Sequence, residues 1–456
     1  MASAASDTPK TPIDDLLQCR QWCASGCKPR EQFRIGTEYE RFAFGPDGRL
    51  LPYDGPVSIR TLLERLALRY GWEPYLELGK PIALSRKGAS VSLEPAGQFE
   101  LSGAVLPTIA ATIAELQQHQ AEFEDVAADL GVRLAWLGLN PFDTPDTAPH
   151  MPKGRYDVMR AWMPRVGSHG LRMMHLTCTV QANIDFSSED ECMEMMRLGH
   201  LLSPVWIALF ANSPRLEGKP SGYRSCRAHL WLDVDRARCA QGPFVFDRLA
   251  TIDDYVQWAL DVPMYFLDRE NPDGSAGYQG LDGKFTFRHF FERGFGGRRP
   301  TLADWERHVA TLFPDVRLKK WLEIRQCDLV PAAAIPALPA LCKGLFYHLP
   351  TRARALAVVR DGDSTIDRAA LREAACRDGL DGRVGDFSVR DWCEQILKLA
   401  VEGLNGLAAD TGTDADAAQA LLPLQDIVFE GKAPFWQRAQ QVLDAGGHWA
   451  QLADLT

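Results

Sequence analysis

Residues Ser90 to Gly103 read S-V-S-L-E-P-A-G-Q-F-E-L-S-G, and the fold is decided by how this stretch is read. Leu93, Phe99 and Leu101 suit a β-segment packed on a core, so Glu94 and Glu100 are out of place unless the segment looks into a site. Pro95 and Gly97 predict a bulge or bend between the two carboxylates, a feature common beside active sites. Upstream, R-I-G-T-E-Y-E-R-F-A-F (Arg34 to Phe44) sets Glu38 and Glu40 two residues apart, hence on one face of a strand. Two such strands side by side line up four carboxylates.

Four facing carboxylates repel one another unless a cation lies between them. Magnesium is the expected partner, because it takes oxygen ligands and keeps part of its shell for water and phosphate. The bland alternative is a solvated strand face with ordinary surface charges. A further strand is predicted in R-L-K-K-W-L-E-I-R-Q-C-D (Arg317 to Asp328), where Glu323 and Arg325 share a face while Leu322 and Ile324 face the core. They either pair with each other or supply one metal ligand beside one phosphate-holding arginine.

At 456 residues, with 46% hydrophobic and 24% charged side chains, the chain has ample material for the core of a soluble globular protein. One large mixed body with a helical appendage and two independent domains are both compatible with that length. A net charge of −10 argues against nucleic acid or an anionic membrane as the main partner, so an anionic substrate must be met by clustered arginines. The start, M-A-S-A-A-S-D-T-P-K-T-P, has neither the apolar core of a secretion signal nor an arginine-rich transit pattern, and reads as a disordered tail over 1–14 of a cytoplasmic protein. Eleven cysteines without a paired framework fit a compartment where thiols stay reduced. Cys19, Cys23 and Cys27 have the spacing of one helix face and read as packing rather than as a metal site; Cys327 and Cys342 are a candidate pair.

In order, Ser58 and Gly71 bound one predicted helix, and a second runs from about Thr108 to Leu130 with Gly131 as its stop. The first 135 residues thus read β-α-β-α, followed by a buried strand in L-A-W-L-G-L-N-P (Leu134 to Pro141) and a long loop to Gly154. That loop delivers M-P-K-G-R-Y, whose Lys153 and Arg155 either meet an anionic ligand or are simply exposed. In T-C-T-V-Q-A-N-I-D-F (Thr177 to Phe186), Thr179, Gln181, Asn183 and Asp185 share a polar face. Ser188 and Glu191 start the next helix, which carries Met193, Met195, Met196 and Trp206 into the core. Alternation places Arg227, His229, Trp231 and Asp233 on one face of another strand, with His229 either structural or catalytic. Gly294 to Arg299 reads as a mobile basic loop, and helices are expected to start near Thr365 and Ser388.

Taken together, G-T-E-Y-E-R-F, S-L-E-P-A-G-Q-F-E-L-S-G, M-P-K-G-R-Y, T-C-T-V-Q-A-N-I-D-F-S-S, F-A-N-S-P and W-L-E-I-R resemble, in order, the plant-type glutamate-cysteine ligases, which also occur in proteobacteria. The resemblance spans roughly residues 15–350. It implies an α+β fold of the carboxylate-amine ligase (glutamine synthetase-like) kind, a curved antiparallel sheet funnel backed by helices, as catalytic body over 15–350, with a helical region over 351–456 packed on it. It also implies that ATP, L-glutamate and L-cysteine give γ-glutamylcysteine, ADP and phosphate. Glu38, Glu40, Glu94, Glu100 and Glu323 then correspond to magnesium ligands with Gln181 as a neutral neighbour. Arg325, with Glu94 and Glu323, serves the phosphoryl transfer; Arg155 and Arg227, with Lys153, hold the glutamate carboxylates, and Tyr265 lines the cysteine pocket. The loop before Arg155 or that near Gly296 is expected to exclude water. Rival readings are a ligase with another amine acceptor, a metal-dependent phosphate-ester hydrolase and a non-catalytic nucleotide sensor. The regulatory cysteine pairs of the plant proteins are absent, their positions falling on Ile113, Gly283, Pro336 and the stretch around Gly296, so a monomer or weak homodimer without plant-type redox activation is expected.

Overall fold

Strand β1 (Ile35–Phe44) is buried along nearly its whole length, as the centre of a sheet must be. In the computed structural model, which describes residues 11–239, 241–242, 244–270 and 276–455, it is joined by eight further strands. These are β2 (Glu73–Glu77), β3 (Lys80–Arg86), β4 (Ala89–Leu93), β5 (Phe99–Ser102), β6 (Arg133–Ala135), β7 (Val180–Ile184), β8 (Val316–Leu318) and β9 (Leu322–Ile324). The order is β8-β9-β7-β1-β5-β4-β3-β2, with β6 also on β1, and the pairings are antiparallel. The antiparallel sheet expected from the resemblance is therefore present, although the β-α-β-α reading missed β2 and β3 and took β4 and β5 as one interrupted segment. β2 is largely exposed and β3 carries Pro81 near its start, so little periodic apolar signal marks them.

Of the bulge or bend expected at Pro95 and Gly97, the structure has the bend, a tight turn. Glu94 N donates to Gln98 O and Gly97 N to Glu94 O, both at 2.9 Å, closing a hairpin between β4 and β5. Gly97 sits at φ +81°, and a Cβ there would come within 3.0 Å of Met151 Cε, which is why glycine occupies the position. Likewise the predicted strand Arg317 to Asp328 is a hairpin, β8–β9, turning at Lys319 to Trp321.

Helices cover the core face of the sheet. The helix Ile59–Tyr70 begins where Ser58 Oγ accepts from Thr61 N and ends at left-handed Gly71, and Ile109–Ala128 begins at a Thr108 cap, as their sequences predict. Tyr39, Phe99, Leu101, Phe123 and Val126 are almost wholly buried in this core. Each such side chain contributes roughly 1.5–3 kcal/mol on burial. Arg41 is also buried there, its guanidinium 5.1 Å from the centres of the Tyr39 and Phe123 rings.

Three further expectations change. The segment carrying Arg227 and His229 is helical, Cys226–Leu230 followed by a 3-10 turn at Trp231–Asp233, because the Ser225 side chain caps it by accepting from Ala228 N. Residues 1–10 of the expected tail lie outside the described residues, and its far end is ordered: Pro12 bridges Thr301, and buried Ile13 donates to Pro300 O at 2.8 Å. The helix expected near Thr365 starts at Arg368, capped by Asp367, whereas Ser388 caps Val389–Thr411 as predicted. Met193, Met195, Met196 and Trp206 are buried, with Trp206 on the next helix, Ser203–Leu209. Cys327 and Cys342 are both free and buried, as Cys19 and Cys23 are.

Candidate active site

The pleat of β1 turns Glu38 and Glu40 to the same side, away from Tyr39. Register then sets their neighbours. Glu40 pairs with Glu100 on β5, which pairs with Ser92 on β4; Glu38 pairs with Ser102 on one side and Gln181 on the other. One sheet face thus carries two polar rows crossing several strands, and Glu94 joins them from the β4–β5 turn.

Each carboxylate has a distinct environment. Glu38 accepts from Asn183 Nδ2 at 2.8 Å, and Glu40 from the Thr179 backbone N–H at 3.0 Å. Burial, reinforced by nearby Glu94 and Glu100, pushes Glu40 well above the ordinary carboxylate range. Glu38 is raised by burial and by Glu323 and Glu100, and Glu94 by burial and Glu100, with Lys153 and Arg155 opposing. Glu100 is buried too, but the Ser92 and Ser102 hydroxyls donate to its two oxygens at 2.7 and 3.0 Å and favour its ionised form. Among the described residues no group of three or more His, Cys, Asp or Glu is drawn close enough to hold a metal ion as it stands.

Glu323 is set differently. Its oxygens are clamped by Arg317 Nη2 at 2.5 Å, Lys319 Nζ at 2.7 Å and Arg325 Nη1 at 3.3 Å. These cations overcome its burial and hold it well below the ordinary range. Arg325 also donates to Gln181 Oε1 at 2.7 Å, so one guanidinium ties the β9 carboxylate to the Glu38 row. Burial next to Arg317 lowers Arg325 to about 10, leaving it charged at neutral pH.

The basic residues on the M-P-K-G-R-Y stretch are not exposed on a loop. Lys153 is buried, donating to Leu93 O at 2.5 Å and lying 3.4 Å from Tyr156 Oη, and burial beside Arg155 lowers it to about 8. Arg155 is half-buried in the first turn of the helix Gly154–Trp162, over the Tyr156 ring and near Glu94. Arg227 is buried, its Nη1 and Nη2 donating to the carbonyls of Gln326 and Arg325 at 3.2 Å each. Its charge is felt by Glu40 and by Arg325. Tyr265 stands apart: it is buried under Arg238, with its hydroxyl 3.5 Å from Asp235 Oδ2. His229 stacks on Tyr223 at 3.9 Å and faces Glu373, which is a structural setting.

Asn183 lies on the polar face expected in Thr177 to Phe186, whereas Ser92, Ser102, Arg317, Lys319 and Tyr156 complete this site and escaped the sequence reading. For most of them the signal was parity: Ser92 and Ser102 alternate in step with Glu100, and Arg317 and Lys319 with Glu323. Tyr156 had no such signal, because a helix delivers it.

The family described as glutamate-cysteine ligase family 2 matches residues 34–452. The chain is 43% identical over 395 residues to glutamate–cysteine ligase B, chloroplastic, of Oryza sativa subsp. japonica, covering 86% of this chain and 77% of that one. It is 40% identical over 446 residues to glutamate–cysteine ligase, chloroplastic, of Arabidopsis thaliana, covering 97% and 81%. Among solved structures, glutamate–cysteine ligase of Francisella tularensis in complex with AMP superposes with a TM-score of 0.52 at 12% identity, over 92% of this chain and 87% of that one. The bifunctional glutathione synthetase of Pasteurella multocida gives 0.50 at 14%, over 97% and 53%. These superpositions identify the fold as that of glutamate–cysteine ligases. The chloroplastic names of the relatives overturn the cytoplasmic placement expected from the N-terminal composition. With a family match over most of its length and relatives above 40% identity, the chain belongs to glutamate-cysteine ligase family 2.

Proposed function

We propose that this protein uses ATP to join the γ-carboxyl of L-glutamate to the amine of L-cysteine, giving γ-glutamylcysteine, ADP and phosphate, the first step towards glutathione. The observation that carries the reading is the convergence of Glu38, Glu40, Glu94 and Glu100 on one sheet face, framed by Arg155, Arg227 and Arg325.

Those four carboxylates are hard oxygen donors that oppose one another, and Gln181 adds a neutral oxygen beside them. Such a donor set fits a divalent cation of the magnesium type, which would relieve the repulsion that raises Glu38, Glu40 and Glu94. When bound, magnesium would neutralise phosphate oxygens of ATP. Glu323, expected among the ligands, has both oxygens engaged by cations, and we assign it to holding Arg325 in place.

The chemistry left to the chain is positioning and charge. A γ-carboxylate oxygen of glutamate attacks the terminal phosphorus of ATP and ADP leaves, forming γ-glutamyl phosphate. The cysteine amine, once deprotonated, attacks the acyl carbon; the C–N bond forms and phosphate departs. Arg325 stabilises charge on the transferring group, as an arginine does in other phosphoryl transfers. Arg155 and Arg227 hold the glutamate carboxylates, and Tyr265 belongs to the cysteine side. Lys153 acts behind them, balancing Glu94 and bracing the β4 end at Leu93. No enzyme nucleophile is required, but water must be excluded, since a free acyl phosphate hydrolyses. Residues 15–350 form the catalytic body, and 351–456 pack on it.

The test is ADP release by the full chain with magnesium, L-glutamate and L-cysteine, each omitted in turn, with γ-glutamylcysteine identified by mass. Turnover should need all three. ADP release without an amine acceptor points to a hydrolase, and preference for another amine rejects cysteine.

A further inference from the structure

Where the helix Glu189–Leu201 gives way to Ser203–Leu209, the C-terminal helices close over a cavity of about 10 Å³. That is room for a single atom or one water molecule. Its polar lining is His200, Ser203, Gln241, Arg368 and Arg372, set among apolar walls that include Leu371 and Trp392. No carboxylate is among the described residues that line it.

The charges there are unevenly met. Arg372 gives Nη2 to Asp315 Oδ1 at 2.9 Å, but its Nε is buried without a hydrogen-bond partner. Arg368, from the same helix, donates to the backbone carbonyls of Val359 and Arg360 at 3.4 and 3.1 Å and feels the charges of Asp361 and Asp363. Asp361 is already held by Arg197 and Arg248, at 3.2 and 3.6 Å. Asp315 likewise turns its other oxygen to Ser203 Oγ and Gln241 Nε2, at 3.4 and 3.2 Å. His200 is 2% exposed, and neither of its ring nitrogens completes a hydrogen bond, although the Val316 backbone is near. A buried guanidinium N–H and a buried imidazole therefore meet in one small space, and such groups are seldom left without a partner.

We propose that this cavity binds a monatomic anion of the chloride type, held by Arg368, Arg372 and His200, and that the ion fastens the helices Arg368–Asp378 and Val389–Thr411 to the rest of the chain. Size rules out phosphate, sulfate and carboxylates, and the cationic lining rules out a metal ion. Water fits by size but leaves the guanidinium charge unmet, whereas an anion meets it and favours a ring N–H on the His200 side. The ion's influence extends to Arg325 through Asp315, whose backbone carbonyl accepts from the Arg325 N–H at 3.2 Å.

The test is the thermal melt of the full chain in sodium chloride, bromide and gluconate at one constant ionic strength, comparing wild type with Arg368→Gln. Wild type should melt about 2 °C or more higher in chloride or bromide than in gluconate, whose anion is too large for the cavity. Arg368→Gln should lose most of that difference. Equal melts in the three salts point to water in the cavity and overturn the proposal, as does a halide effect that Arg368→Gln leaves in place. Should Arg368→Gln not fold, anomalous scattering from bromide-soaked wild-type crystals decides instead. A bromide between Arg372 and His200, together with the solution shift, supports the site. No bromide there, or a bromide without the shift, an adventitious ion only, overturns it.

Discussion

Glu40 and Glu100 are direct cross-strand partners on β1 and β5, with no basic residue in their row. Like charges opposite each other destabilise a sheet, and here burial adds to the repulsion. The proposed function would account for their retention, since a divalent cation bound between them would offset the repulsion and meet substrate phosphates.

The first consequence concerns pH. Glu38, Glu40 and Glu94 have folded-state values raised above the ordinary 4.5, so the native state binds more protons than the unfolded one above that pH. Their contribution to stability is fully present below 4.5 and is lost as pH rises through the raised values. Glu323 has the opposite sign, its contribution being present above 4.5 and lost on acidification. Thermal melts in chelator should therefore show stability falling from mildly acidic towards neutral pH, and magnesium should reduce that slope. The same slope with and without magnesium contradicts the assignment.

Neutralising one member of the row should separate stability from activity. Glu40→Gln removes the repulsion with Glu94 and Glu100, so the metal-free variant is expected to melt no lower than wild type while losing at least a hundredfold in turnover. Melting curves and ADP release check the two halves; wild-type turnover overturns the role given to Glu40.

Arg325→Ala should abolish turnover, by roughly 10²–10³ or more, as removal of a transition-state charge partner does. Glu323 keeps Arg317 and Lys319, so folding should survive. Circular dichroism matching wild type, with activity lost, is the expected pair of results.

The β4–β5 turn is the mechanical link between Glu94 and Glu100. Gly97→Ala forces a side chain into φ +81° and against Met151, and should cost roughly 1–2 kcal/mol in denaturant unfolding. An unchanged midpoint contradicts this account of the glycine.

How far the sequence foretold these features follows from which interactions are local. Caps at Ser58 and Ser188, and helix starts near Thr108 and Ser388, were legible because each depends on a few adjacent residues. The shared face of Glu38 and Glu40 was legible because a strand has period two. Pro95 and Gly97 marked an interruption, but they suit a bulge in one strand as well as a turn between two, and only the pairing of β4 with β5 across them decides for the turn. The Arg227 segment alternates like a strand, and its Ser225 cap, with the docking of Arg224 and Ser225 on Cys376, makes it a helix. Burial of Lys153 was invisible for a similar reason, since its partner Leu93 is remote in sequence.

The central claim, that these carboxylates converge on a divalent ion, is tested most directly by titrating the full chain with manganese in the presence of ATP, following free metal by electron paramagnetic resonance. Wild type should bind the ion, and Glu40→Gln and Glu100→Gln should each weaken binding at least tenfold. Equal binding by all three proteins would contradict it.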